Sequence, residues 1–109
     1  MRVLSLFDGI SCGQVALQKL GVKVDRYFAS EIDEYAISVT QKRFPSTIQL
    51  GDVTKVKAEH VSNIDLLYGG SPCQSFSKSY SQSDRGFDGS SKLFWEYVRI
   101  LREVKPKYF

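Results

Sequence analysis

Strand-like apolar runs and helix-like periods alternate along this chain, with only short links between them. "RVLSLF" (Arg2 to Phe7) reads as a buried strand running into the turn "DGISCG". In "GQVALQKLG", Val15, Ala16, Leu17 and Leu20 supply an apolar helix face, and Gly21 stands where a helix stops. "VDRYFAS" is a second strand. The next helix spans Asp33 to Phe44: Ala36 and Thr40, and Tyr35 and Val39, are four apart, and Pro45 ends it. "STIQL" is a short strand before "GDV", and "NIDLLYGG" is an apolar strand closed by paired glycines. The last helix runs from Ser91 to Val104, with Leu93, Tyr97, Leu101 and Val104 on one face and Arg99 and Arg102 on its solvated side. "KPKYF" breaks it and opens a fifth strand, which has just begun at Phe109. Such alternation predicts an α/β fold: a parallel, Rossmann-like sheet with right-handed crossovers.

A chain of 109 residues with 42% hydrophobic and 13% aromatic content is enough for one packed domain. No apolar run approaches the ~20 residues that cross a bilayer, so no membrane partner is expected. The N-terminus lacks the layout of a secretory signal. Two cysteines, Cys12 and Cys73, are too few for a disulfide framework, and with the single His60 they do not make a metal site. A reduced, cytoplasmic setting is the expectation. The net charge of +3 and pI near 8.9 are compatible with a nucleic-acid partner without demanding one.

In such a sheet, ligands bind beyond the carboxyl ends of the strands. Three of those ends carry suggestive groups. In "LFDGISCG", Gly9 and Gly13 allow a tight turn and close backbone approach, although Ser11 and Cys12 depart from the dinucleotide pattern G-x-G-x-x-G. In "SEID", Glu31 lies 22 residues after Gly9, near the ~20-residue offset of a carboxylate that accepts from ribose hydroxyls. It is equally an acid suited to the first turn of a helix. In "GDV", Asp52 can accept from an adenine amine while Val53 packs on the ring; Asp after Gly is also an ordinary turn residue. Together the three describe an adenosine pocket. The adenosine belongs either to a nicotinamide cofactor or to S-adenosyl-methionine, and the imperfect glycine pattern favours the second.

Cys73 follows the fourth strand and so shares this sheet edge. Gly69 and Gly70 allow close backbone approach and Pro72 restricts the link. A thiol of ordinary pKa near ~8.5 becomes a good nucleophile when a neighbouring charge or helix end lowers it; a free cysteine can also be a small buried hydrophobe, the reading that suits Cys12. The serine-rich stretch after Cys73 reads as a functional loop able to close on a polar ligand. Lys78, Arg85 and Lys92 are its phosphate-binding candidates, partly offset by Asp84 and Asp88.

With those stretches in view, the chain resembles the N-terminal part of the catalytic domain of the DNA (cytosine-5) methyltransferases. "VLSLFDGISCG", "VDRYFASEID", "GDV", "DLLYGGSPCQSFS" and "LFWEYVRIL" occur in that family's order and spacing over nearly all of the chain. "LFDGI", "VDRYFASE" and "GGSPC" resemble most the de novo enzymes and their bacterial and phage relatives. The resemblance implies a Rossmann-like S-adenosyl-methionine-dependent methyltransferase sheet. It implies that Phe7 packs on the cofactor, that Gly9, Ile10 and Ser11 line its tail, and that Glu31 binds the ribose. Ile32 would cover the adenine, Asp52 and Val53 would hold its edge, and Gly70, Pro72 and Leu93 would close the methionine side.

The resemblance further implies that Cys73 is the catalytic nucleophile. Its thiolate adds to carbon 6 of a flipped cytosine, carbon 5 takes the methyl group, and loss of the carbon 5 proton releases the cysteine. Gln74, Ser75, Ser77, Lys78 and Arg85 would face duplex DNA, with the serine-rich stretch as a lid over the flipped base. The family's Glu-Asn-Val element, its later arginine-bearing element and its target-recognition region are absent from these 109 residues. The expectation is therefore an inactive N-terminal part of the domain when alone, with self-association through an unfinished sheet edge as a further expectation. Methylation of tRNA cytosine, a non-catalytic nucleotide-binding module and a nicotinamide oxidoreductase are the alternatives. A prokaryotic or phage restriction-modification or DNA-protection setting is the expected context.

Overall fold

The computed structural model describes residues 1–72 and 92–109. Its elements, in chain order, are β1 (Arg2–Leu6), α1 (Cys12–Lys19), β2 (Arg26–Ser30), α2 (Glu34–Arg43), β3 (Ile48–Gln49), β4 (Leu66–Gly69) and α3 (Lys92–Val104), with two single 3₁₀ turns (Val53–Lys55 and Ala58–His60) between β3 and β4. The four strands form one parallel sheet in the order β3-β2-β1-β4. The α/β alternation legible in the sequence is thus the architecture. Because β2 and β3 lie to one side of β1 and β4 to the other, the strand order reverses beside β1, which is where open sheets of this kind leave a crevice.

Strand alternation distributes the core over both faces of the sheet. Leu4 and Leu6 of β1, Phe28 of β2 and Leu67 of β4 share one buried face with Val53, Val56, Val61, Ile64 and Ile100. Val3, Tyr27 and Ala29 bury the other, with Leu17 of α1, Leu66 and Tyr68 packed against them. Leu4, Leu6, Leu67 and Ile100 are wholly buried, and each such side chain contributes on the order of 1.5–3 kcal/mol relative to exposure. Leu93, Tyr97, Leu101 and Val104 of α3 pack on the first face as their spacing predicts. Ile100, between them, is the most deeply buried residue of that helix.

Helix ends follow local chemistry. Gly21 takes φ 72° after α1; its N–H donates to the Gln18 carbonyl and that of Val22 to the Leu17 carbonyl, a Schellman closure. Asp33 caps α2, its carboxylate accepting from the N–H groups of Tyr35 and Ala36.

Four expectations are corrected. Leu20, placed on the inner face of α1, is 77% exposed, and the buried residue of that helix is Gln14. Periodicity counts a glutamine as surface, but its amide donates to Thr47 Oγ1 at 3.0 Å and to Ser11 Oγ at 3.4 Å, which makes burial tolerable. In α2, Thr40 is buried while Tyr35 and Val39 are exposed. Arg99 is not solvated: its side chain is 30% exposed and hydrogen-bonds across to the first 3₁₀ turn. Cys12, read as a small buried hydrophobe, is exposed at the start of α1. The segment "KPKYF" begins to pair as expected, through a parallel bridge between Leu66 and Tyr108 on the outer side of β4.

Candidate functional site

β1 delivers the chain into a turn with three left-handed residues, Phe7 (φ 56°), Gly9 (φ 62°) and Ser11 (φ 63°). Glycine takes that conformation freely, while each of the other two costs about 1–2 kcal/mol. The compensation is visible in the bonds of the turn. The Asp8 N–H donates to the Ser30 carbonyl, and the fully buried Ser11 hydroxyl donates to the Asp8 carboxylate. Tyr27 Oη also donates to that carboxylate, at 2.8 Å, and is hydrogen-bonded in turn to Tyr68 Oη. Burial pushes both phenols above their ordinary pKa.

Gly13 serves this same packing. A Cβ there would stand 2.2 Å from Tyr68 Oη, so the helix backbone approaches the ring only because residue 13 has no side chain. The sequence reading gave Gly13 to a ligand; its neighbour is instead a tyrosine. Gly69 likewise admits the Leu6 carbonyl, which a Cβ would meet at 2.4 Å.

Glu31, just past β2, is a knot between two turns. Its Oε1 accepts the Gly9 N–H at 2.7 Å, and its Oε2 accepts the N–H groups of Ile32 and Asp33 at 2.9 Å each. A carboxylate offers about four acceptor positions, so roughly one remains for an outside donor. Past β3, Gly51 turns at φ 76° and its carbonyl accepts from Ser30 Oγ at 2.7 Å. Asp52 then caps the first 3₁₀ turn, Oδ1 accepting from the N–H and hydroxyl of Thr54. Those bonds hold the Asp52 carboxyl below its ordinary pKa, so it is a charged acceptor at neutral pH.

These strand ends enclose a cleft of about 280 Å³ lined by Phe7, Ser30, Glu31, Ile32, Gly51, Asp52, Val53, Pro72 and Leu93. Of the residues singled out from the sequence, Phe7, Glu31, Ile32, Asp52, Val53, Pro72 and Leu93 come together here, although they derive from four strand ends and the start of α3. Gly9 stands behind Glu31 rather than on the lining. Ile10 is 52% exposed, Ser11 commits its side chain to the turn, and Gly70 lies past β4 with open space around its Cα. Ser30 and Gly51 also line the cleft, although in "SEID" and "GDV" only the residues after them were singled out. Cys73 with Gln74, Ser75, Ser77, Lys78 and Arg85 lie outside the described residues.

Chemically, the cleft offers an apolar body with two carboxylates at separate strand ends. That set suits a flat, uncharged ring system carrying hydroxyl and amine donors, which is what a nucleoside presents.

The model for C-5 cytosine-specific DNA methylases matches residues 1–109, the whole chain. The chain belongs to that family. Among curated relatives, the orphan methyltransferase M.SPRI of Bacillus phage SPR is 40% identical over 112 residues, covering 100% of this chain and 25% of its own. The type II methyltransferase M.NgoBV of Neisseria gonorrhoeae is 33% identical over 114 residues, covering 100% of this chain and 26% of its own. The chain therefore spans about a quarter of the length of the curated relatives it matches. A solved prophage-encoded protein (E. coli), provisionally assigned as a DNA modification methyltransferase, superposes with a TM-score of 0.76 at 28% identity, over 97% of this chain and 30% of that one. The fold is accordingly the Rossmann-like sheet of the methyltransferases. Among the described residues, no helix is long and apolar enough to cross a membrane.

Proposed function

We propose that this chain is the S-adenosyl-methionine-binding, nucleophile-bearing part of an enzyme that methylates carbon 5 of cytosine in duplex DNA. The observation that carries the reading is the cleft that gathers Phe7, Glu31, Asp52, Val53, Pro72 and Leu93 at the carboxyl ends of the sheet. Membership of the cytosine-specific DNA methylase family supports the base and the nucleic acid.

On this reading Glu31 offers its remaining acceptor position to a ribose hydroxyl, and Asp52 accepts from the adenine amine. Phe7, Ile32 and Val53 cover the ring system, and Pro72 and Leu93 close the methionine side. Gly9 and Ile10 border the tail through their backbone, and Gly70 leaves room beside it. S-adenosyl-methionine supplies the methyl group when bound. Cys73, the residue directly after cleft-lining Pro72 in the chain, supplies the thiolate that adds to carbon 6 of cytosine and makes carbon 5 nucleophilic. Gln74, Ser75, Ser77, Lys78 and Arg85 then belong to the DNA-facing side.

Calorimetric titration of the chain with S-adenosyl-homocysteine and, separately, with NAD tests the cofactor. The demethylated product is expected to bind, and Glu31→Ala and Asp52→Ala to weaken it by roughly tenfold or more each, the scale of a hydrogen bond to a charged group. Binding of NAD without binding of S-adenosyl-homocysteine would overturn the reading.

A further inference from the structure

Arg99 is tied to the cleft without lining it. From α3 its Nη2 donates to the Val53 carbonyl at 3.1 Å and its Nη1 to the Val56 carbonyl at 2.9 Å. Val53 lines the cleft, and so does Leu93, which lies fewer than two turns earlier on the same helix. One guanidinium thus links the two walls that Val53 and Leu93 provide.

The guanidinium is itself held. Nε donates to Glu96 Oε2 at 2.7 Å and Nη1 also to Glu103 Oε2 at 3.2 Å. Both carboxylates sit on α3, at i−3 and i+4, so the planar fork is oriented by its own helix before it reaches across. What it reaches is intrinsically weak: a single 3₁₀ turn with poor internal hydrogen-bond geometry. The Val53 carbonyl already accepts the Val56 N–H at 3.3 Å, and Arg99 fills its second lone pair. Asp52 pins the turn from its start through Thr54, and Arg99 pins it from α3.

We propose that Arg99 is a positioning residue of the cofactor cleft: by fixing the Val53 and Val56 carbonyls it sets where the Asp52–Val53 edge stands relative to Leu93. The proposal rests on the adenosine reading of the cleft. Lysine cannot replace the fork, because one ammonium lacks the two-pronged geometry that serves both carbonyls while it is braced by both glutamates.

Two variants, Arg99→Lys and Arg99→Met, test this by calorimetry with S-adenosyl-homocysteine and with 5′-methylthioadenosine, which lacks the amino-acid tail. Variants are compared where their circular dichroism matches the parent chain. Affinity for both ligands is expected to fall by roughly tenfold or more in Arg99→Met, with Arg99→Lys intermediate. An equal loss for the two ligands places the effect at the adenosine part they share, and a loss confined to S-adenosyl-homocysteine would place it at the tail and count against the proposal. A folded Arg99→Lys that binds both ligands as the parent does would overturn the proposal and leave the cofactor reading standing. If the parent binds neither ligand, the cofactor reading fails, and amide exchange at Lys55 and Val56 decides the positioning role alone. Faster exchange there in Arg99→Lys, with α3 unchanged, supports it; unchanged exchange removes it.

Discussion

The Gly9 N–H and the Glu31 carboxylate meet at 2.7 Å, joining the turn after β1 to the turn after β2. A side chain read as a ligand group is therefore also a part of the fold, since it satisfies three backbone donors at once.

Glu31→Ala leaves the part-buried Gly9 N–H without its partner, and is expected to destabilise the chain by about 1.5–3 kcal/mol. Glu31→Gln keeps one oxygen but turns an NH₂ group toward backbone donors, so the loss should be only partly recovered. Urea unfolding of the three chains measures both. A Glu31→Ala chain as stable as the parent would mean that the bond between the two turns adds nothing net.

Glycine substitutions separate close approach from empty space. Gly13→Ala and Gly69→Ala drive a Cβ into Tyr68 and into the Leu6 carbonyl, and should each cost about 1–3 kcal/mol, the range for overpacking. Gly70→Ala meets nothing within 4 Å and should lie within about 0.5 kcal/mol of the parent. Equal midpoints for all three in urea would refute this ordering.

Asp52 gives a pH dependence of defined sign. Its carboxyl is held below the ordinary value of 3.8, first by the Thr54 N–H and then by the Thr54 hydroxyl. A depressed folded-state value means that its stabilising contribution is present above pH 3.8 and is lost as pH falls through the folded value. The Asp52 carboxyl carbon should therefore titrate below 3.8 by NMR, and Asp52→Asn should flatten part of the acid limb of stability. Titration at or above 3.8 would contradict the capping role.

Tyr27 and Tyr68 predict the opposite limb. Burial is the first cause that raises both phenols above 10.0, so their contribution is complete below pH 10 and is lost as pH rises through the folded values. Alkaline absorbance should show two tyrosines ionising only as the chain unfolds. Ionisation of Tyr27 in a chain with native circular dichroism would be inconsistent with the buried hydroxyl pair.

Much of the fold was legible in the sequence because its signals are local. A run such as "RVLSLF", a Gly21 stop and the spacing of Leu93, Tyr97, Leu101 and Val104 act over a turn or a strand, and neighbouring residues specify them. Residue types at strand ends, Glu31 and Asp52 above all, were visible for the same reason: the position of a strand end fixes which edge of the sheet its next residue occupies. What the sequence did not show are relationships that span many residues and depend on which hydrogen-bond partner is within reach. Gln14 is buried because Thr47 and Ser11 meet its amide, Gly13 is required because Tyr68 lies against it, and Arg99 turns inward because two carbonyls of a distant 3₁₀ turn and two of its own helix's carboxylates hold it. The residues determined the elements and the chemistry available at their ends; tertiary packing decided which polar groups were satisfied inside, since polarity alone does not reveal whether a partner waits across the fold.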